Sequence, residues 1–178
     1  IKRFKALVTS NMVVGDPLDP TTTIGPLVTT EQQDRVLGYI EIGKQEGATL
    51  ALGGGRGMNS GAYVEPTLFT DVTSTMRIAQ EEIFGPVLSI MSFETEEEAI
   101  RIANDTVYGL TNYVQTQDTE KRRRVARKLR SGMVATNGQG FAKGSPFGGY
   151  KQSGFGKDLG AEQLEHLLET KAVWITLP

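Results

Sequence analysis

Residues 113–136 read YVQTQDTEKRRRVARKLRSGMVAT, and the reading of this stretch decides the class of fold. Tyr113 to Thr116 is a short β-prone run. Asp118 supplies an N-cap carboxylate, Val125 and Leu129 share one helical face, Ser131-Gly132 ends the helix, and Met133 to Thr136 is a second apolar run. Strand, helix and strand in that order predict a parallel crossover unit.

The same pattern extends upstream. Thr95 with Glu98 predicts a capping box before a helix carrying Ala99, Ile100, Ile102 and Ala103 and ending near Asn104. Thr30 with Gln33 gives the same signal before Val36, Leu37 and Ile40, with Gly47 as the stop. Ala48 to Leu52 then reads as a short strand closed by Gly53-Gly54-Gly55, Tyr63 to Phe69 as an extended segment holding Pro66, and Val87 to Phe93 as a further strand. Gly15-Asp16-Pro17-Leu18-Asp19-Pro20 and Gly25-Pro26 are loop, because proline fixes φ and disfavours helix at the residue before it. The expected class is therefore α/β: a layered, mainly parallel sheet with flanking helices.

Composition limits the chemistry. The 178 residues contain no cysteine and one histidine, His166, which excludes disulfides, thiolate metal sites and a thiolate nucleophile from this chain. It also nearly excludes Ser-His or His-metal constellations within the chain, so any chemistry here must lean on carboxylates, on backbone groups or on residues elsewhere. Nineteen Lys and Arg against 21 Asp and Glu give a net charge of −2, so no global field recruits nucleic acid or an anionic membrane. The run Lys121, Arg122, Arg123, Arg124, Arg127, Lys128 and Arg130 has no interleaved aromatic and reads as a solvated helix face. No apolar run reaches the roughly 18 residues of a membrane span, and no signal-peptide pattern opens the chain. A soluble, cytoplasmic protein is the expectation.

The ends are informative. Phe4, Leu7 and Val8 share a helical face at the start, but neither an N-cap nor a Met precedes them, so a fragment of a longer protein is expected, a processed terminus being the other reading. Near the other end, Leu164, Leu167 and Leu168 make a short amphipathic helix, and Ala172 to Leu177 is β-rich. An exposed strand of that hydrophobicity needs a sheet to accept it. Residues 1–157 are accordingly read as one domain and 158–178 as an arm.

Three segments, taken together, resemble the NAD(P)-dependent aldehyde dehydrogenase superfamily. They are Gly15-Asp16-Pro17-Leu18-Asp19-Pro20 with Gly25-Pro26-Leu27, then Glu81-Glu82-Ile83-Phe84-Gly85-Pro86-Val87, then Ser145-Pro146-Phe147-Gly148-Gly149-Tyr150-Lys151-Gln152-Ser153-Gly154. Asn104, Tyr108-Gly109-Leu110 and Glu169-Thr170-Lys171 also stand in family-like places. The resemblance covers the whole chain and implies the C-terminal part of an enzyme that oxidises an aldehyde to a carboxylic acid, starting after its nucleophilic cysteine and lacking most of its cofactor domain. The cysteine and the general base would lie upstream, and the chain alone would be inactive. A truncated, non-catalytic assembly or binding module is the alternative.

The same resemblance implies roles. Glu82 would hold the nicotinamide ribose of NAD or NADP by accepting hydrogen bonds from its vicinal hydroxyls. Phe84 would pack near the nicotinamide, and Glu81 would be a structural or surface neighbour. Read without the family, Glu82 is an exposed charge and Phe84 a core residue. Phe141, within Asn137-Gly138-Gln139-Gly140-Phe141-Ala142-Lys143-Gly144, would line the tunnel for the aldehyde. Asp158 stands where some relatives carry a proton-relay Glu, but its shorter side chain favours a surface or N-cap role. The terminal strand, with Trp174, would join a sheet between subunits of a homo-oligomer, and His166 would be a packing or surface residue.

Overall fold

The computed structural model describes residues 1–58, 60–140 and 142–177. They form two compact units, Ile1–Phe93 and Glu94–Pro178.

The first unit contains helix α1 (Lys2–Asn11), helix α2 (Thr30–Gln45), strands β1 (Thr49–Leu52) and β2 (Thr67–Thr70), the short helix α3 (Arg77–Gln80) and strand β3 (Val87–Ser89). The strands make one sheet in the order β1-β2-β3, antiparallel at the first pairing and parallel at the second. The core forms where α2 lies on this sheet. Val36 and Phe69 are fully buried, packed with Ile40, Val64, Ile78 and Ile83, each such side chain contributing about 1.5–3 kcal/mol relative to exposure. Close approach is possible because Gly43 has no side chain: a Cβ there would lie 3.0 Å from Ile78 Cδ1 and 3.1 Å from Phe69 Cζ.

Local signals set most boundaries, with informative exceptions. Helix α2 is capped by Thr29, whose hydroxyl accepts the Gln32 amide at 3.2 Å, and not by Thr30 with Gln33. Gln33 is drawn inward instead: its Nε2 donates to Tyr63 O at 2.6 Å and its Oε1 accepts from Arg56. A buried amide must be paired, and these partners are available only inside the fold. Gly47 ends α2 at φ +96°, as expected. The strand expected over Val87 to Phe93 is regular only to Ser89. Phe4 and Val8 of α1, with Met12 just beyond its end, face an apolar groove of about 240 Å³ shared with Leu52, Leu68 and Leu88, whereas Leu7 faces outward.

The second unit contains helix α4 (Glu96–Asn104), strand β4 (Thr111–Val114), helix α5 (Thr119–Lys128), strand β5 (Met133–Thr136), a 3-10 turn (Lys151–Ser153) and helix α6 (Glu162–Leu167). β4 and β5 are parallel, with Thr111 opposite Met133 and Val114 opposite Thr136, and α5 is the crossover. Thr95 and Asp118 cap α4 and α5 as expected, accepting the amides of Glu98 at 3.1 Å and Lys121 at 2.9 Å. β4 starts two residues earlier than the sequence suggests, because its pairing with β5 begins at Thr111. The basic face of α5 is solvated, and Arg124 grips Glu96 of α4 with two bonds of 2.8 and 2.7 Å.

The Gly-rich segment after residue 145 is folded back onto α4 and β4. Gly109 O accepts the amides of Gly132 and Tyr150 at 3.0 and 2.8 Å, and Lys151 Nζ donates to the carbonyls of Asn104 and Thr106, both at 2.9 Å. Asn104 in turn accepts the Arg130 amide at 2.7 Å and donates to Lys128 O at 2.9 Å, closing the end of α5. Asp158 is not the N-cap of α6, a position held by Ala161. Its backbone pairs with Phe147 through two bonds of 2.7 Å, which fixes it in an extended bridge. Residues 172–177 carry no regular structure in this chain, and Trp174 is 93% exposed. No strand among the described residues accepts them, and a β-rich segment forms a strand only against a partner. His166 lies at the exposed end of α6.

Two glycine substitutions test this packing in opposite directions. A Cβ on Gly132 would overlap the carbonyl of Gly148, so Gly132→Ala is expected to lower stability by about 1–3 kcal/mol. Gly38, inside α2, has no atom within 4 Å of such a Cβ, so Gly38→Ala is expected to raise stability by about 0.5–1 kcal/mol. Denaturant unfolding of the two variants measures both.

Candidate functional site

The loop from Glu81 to Pro86 joins α3 to β3 and is held by one stripe of α2. Gln32, Arg35, Val36 and Tyr39 recur at the i, i+3, i+4, i+7 spacing that places residues on one helical face. Gln32 Nε2 donates to Ile83 O at 3.1 Å and Phe84 O at 3.0 Å. Arg35 Nη2 donates to Glu82 O at 3.1 Å. Val36 lies so close beneath Gly85 that a Cβ there would come within 2.6 Å of Val36 Cγ2. Tyr39 donates its hydroxyl to Glu81 Oε2 at 2.6 Å.

The two neighbouring carboxylates are thereby separated in role. Glu81 is clamped: Arg77 holds it with bonds of 2.8 and 3.0 Å, and the guanidinium groups of Arg35 and Arg77 stand 5.3 and 5.6 Å from the centre of the Tyr39 ring. The Arg77 bonds first, and the Tyr39 hydroxyl next, pull the Glu81 carboxyl down to about 2, while the Glu81 carboxylate pushes the Tyr39 hydroxyl above its ordinary value. Glu82 is exposed, and among the described residues nothing engages its carboxylate. The expectation that Glu81 is a structural neighbour accords with this arrangement.

Phe84 is not a core residue. Its backbone has φ +60° and its side chain is 71% exposed. Left-handed backbone costs a residue with a Cβ about 1–3 kcal/mol and persists only where surroundings over-determine it. Buried Ile83 on one side, Gly85 against Val36 on the other and the Gln32 amide on the Phe84 carbonyl together supply that constraint. The Glu82 carboxylate and the Phe84 ring are thus both open to solvent.

In the second unit a cleft of about 530 Å³ opens over β4 and β5 and is bounded by Gln139, Gly140, Ala142 and Ser145 to Phe147. Tyr113, Met133, Ala135, Gln139, Pro146 and Phe147 line it, and no charged side chain is among its lining residues. Phe141 lies outside the described residues, but Gly140 and Ala142 on either side of it border this cleft. Among the described residues, no group of three or more His, Cys, Asp or Glu is placed to hold a metal ion. No helix searched is long and apolar enough to cross a membrane.

The profile of the Aldehyde dehydrogenase family matches residues 1–173. The chain belongs to the aldehyde dehydrogenase family. Aldehyde dehydrogenase 1 of Tanacetum cinerariifolium is 48% identical over 174 residues, covering 97% of this chain and 35% of that protein. Betaine aldehyde dehydrogenase of Brucella anthropi is 47% identical, covering 95% of this chain and 36% of that protein. Among solved structures, the Mycobacterium tuberculosis aldehyde dehydrogenase complexed with NAD+ superposes with a TM-score of 0.86 at 49% identity, over 93% of this chain and 35% of that one. The chain thus spans about a third of the length of these relatives, and the α/β class expected from the sequence is the fold of the family.

Sequence reading singled out Glu82, Phe84 and Phe141 but passed over Gln32, Arg35 and Tyr39. Their signal was present as helical spacing, but Gln32 and Arg35 are polar, so the stripe did not register as a packing surface.

The Glu81 clamp makes a prediction about acid stability. Its folded carboxyl is held at about 2, well below the ordinary 4.5, so folding favours the ionised form. The resulting stabilisation is complete above the unfolded value and is lost as pH falls from 4.5 towards 2. Thermal unfolding of Glu81→Gln should show a shallower loss of melting temperature across this range than the parent, and added salt should narrow the gap because the pair is partly exposed.

Proposed function

We propose that the protein carrying this chain oxidises an aldehyde to a carboxylic acid with NAD(P)+, and that these residues position the coenzyme and shape the aldehyde channel. The observation that carries this reading is the division between Glu81, clamped by Arg77 and Tyr39, and Glu82, its carboxylate exposed and unengaged beside the outward ring of Phe84. NAD-dependent chemistry of the family supports it, as does the superposition on an aldehyde dehydrogenase complexed with NAD+. When bound, the coenzyme supplies the hydride acceptor.

Within this chain, Glu82 accepts hydrogen bonds from the ribose hydroxyls, and Phe84 limits where the flat ring can sit. The cleft over β4 and β5 receives the organic tail of the aldehyde, and Phe141, in the stretch that resembles the family's tunnel segment, contacts that tail. Because the 178 residues hold no cysteine, the thiolate that attacks the carbonyl comes from elsewhere in the protein, as does the base that activates water for hydrolysis of the thioester. The exposed apolar tail, with Val173, Trp174, Ile175 and Leu177, supports residues 158–178 as an arm that pairs with a sheet of another subunit in a homo-oligomer. A cytoplasmic location accords with the absence of cysteine and of a membrane-length helix among those searched.

Two outcomes test the reading. In the enzyme that carries this chain, Glu82→Ala should slow single-turnover NADH formation by about ten- to a hundredfold, the range for a misplaced reacting group; an unchanged burst would remove Glu82 from the coenzyme site. The purified 178-residue chain alone should give no aldehyde-dependent NADH, read at 340 nm as an absorbance that does not rise above the enzyme-free blank.

A further inference from the structure

The coenzyme-facing loop is fastened by a side chain that neither its own motif nor the proposed chemistry includes. Three consecutive carbonyls, those of Glu82, Ile83 and Phe84, are all gathered onto α2: the first by Arg35, the second and third by the single Nε2 of Gln32. Gathering successive carbonyls to one side leaves the Glu82 and Phe84 side chains on the other, where both are exposed. Gln32 is itself fixed, since its own amide donates to the Thr29 hydroxyl at 3.2 Å in the cap of the helix. A chain of bonds therefore runs from the cap of α2, through Gln32, to the one residue of the loop with left-handed backbone.

We propose that Gln32 is a positioning residue: by donating to the Ile83 and Phe84 carbonyls it locks the left-handed backbone at Phe84 and so sets where the Phe84 ring and the Glu82 carboxylate meet the coenzyme. This rests on the reading of Glu82 and Phe84 as coenzyme contacts. Arg35 alone does not replace it, because it reaches only the Glu82 carbonyl. Without the carboxamide, two carbonyls are left without their donor, and Phe84 is released to the right-handed or extended backbone that a bulky residue prefers. The ring would then sweep through a range of positions instead of holding one.

The test uses Gln32→Met, which keeps length and volume but removes both hydrogen bonds, in the enzyme that carries this chain. In the absence of coenzyme, amide hydrogen exchange of a peptide covering residues 82–87 should quicken by at least about tenfold, while the β2 peptide covering Phe69 exchanges as in the parent. With coenzyme and aldehyde, the hydride-transfer rate should fall by about tenfold or more, with KM for the aldehyde unchanged and a larger isotope effect from aldehyde deuterated at the transferred position. Exchange at 82–87 as slow as in the parent overturns the proposal. So does exchange that quickens equally in the Phe69 peptide, because that is general destabilisation. Glu82→Ala separates the two levels of argument. If that variant is fully active, the coenzyme reading beneath has failed. If it is impaired while Gln32→Met transfers hydride at the parent rate, this inference alone has failed.

Discussion

Four side chains on one stripe of helix α2 hold the segment from Glu81 to Gly85, and the geometry of the first unit depends on that grip. Helix α2 is the best-anchored element available for it. Its Val36 and Ile40 are buried against β2, and Gly43 lets it approach Phe69 and Ile78 closely. The same face therefore packs the core and fastens the loop: Val36 and Tyr39 belong to the core cluster as well as to the grip, and Gln32 and Arg35 stand beside them. A loop tied to a packed helix inherits that helix's rigidity, which is the condition for presenting a carboxylate and an aromatic ring at fixed positions.

The second unit reaches order by a different route. Few of its side chains are deeply buried, and its helices α4, α5 and α6 contribute no buried residue. Backbone-to-backbone and lysine-to-carbonyl bonds bind the segment after Ser145 to Gly109, Asn104 and Thr106. Close contacts of this kind require glycine: the backbone of Gly132 meets that of Gly148, and Gly149 meets Ser153. The glycines at 148 and 149 in the third motif are thus explained by close main-chain approach.

Much of this was legible in the sequence, and the reasons are local. Asp118 and Thr95 declare their helices because a capping side chain acts within three residues, and Gly47 declares a stop because only a residue without Cβ adopts φ +96° at ease. The displaced cap at Thr29 was not legible. Thr29 and Thr30 offer the same hydroxyl, and the choice fell to Gln33, whose partners Tyr63 and Arg56 lie far along the chain. Tertiary pairing likewise set the start of β4 and left residues 172–177 without a ladder. At the candidate site the motif identified Glu82 and Phe84, while the exposure and left-handed backbone of Phe84 emerged only from long-range bonds to α2.

Glu81 leaves α3 in extended conformation, with φ −107° and ψ 146°, so the side chains of residues 81 and 82 depart in opposing directions. Which of two chemically identical carboxylates is tethered and which is offered outward is then a matter of odd or even place in the chain. Inserting one amino acid between Glu82 and Ile83 would remove neither acid, yet, counted back from buried Ile83, it would hand the inward berth beside Arg77 and Tyr39 to Glu82. The length of this turn is thus as strict a requirement as the identity of the acids within it.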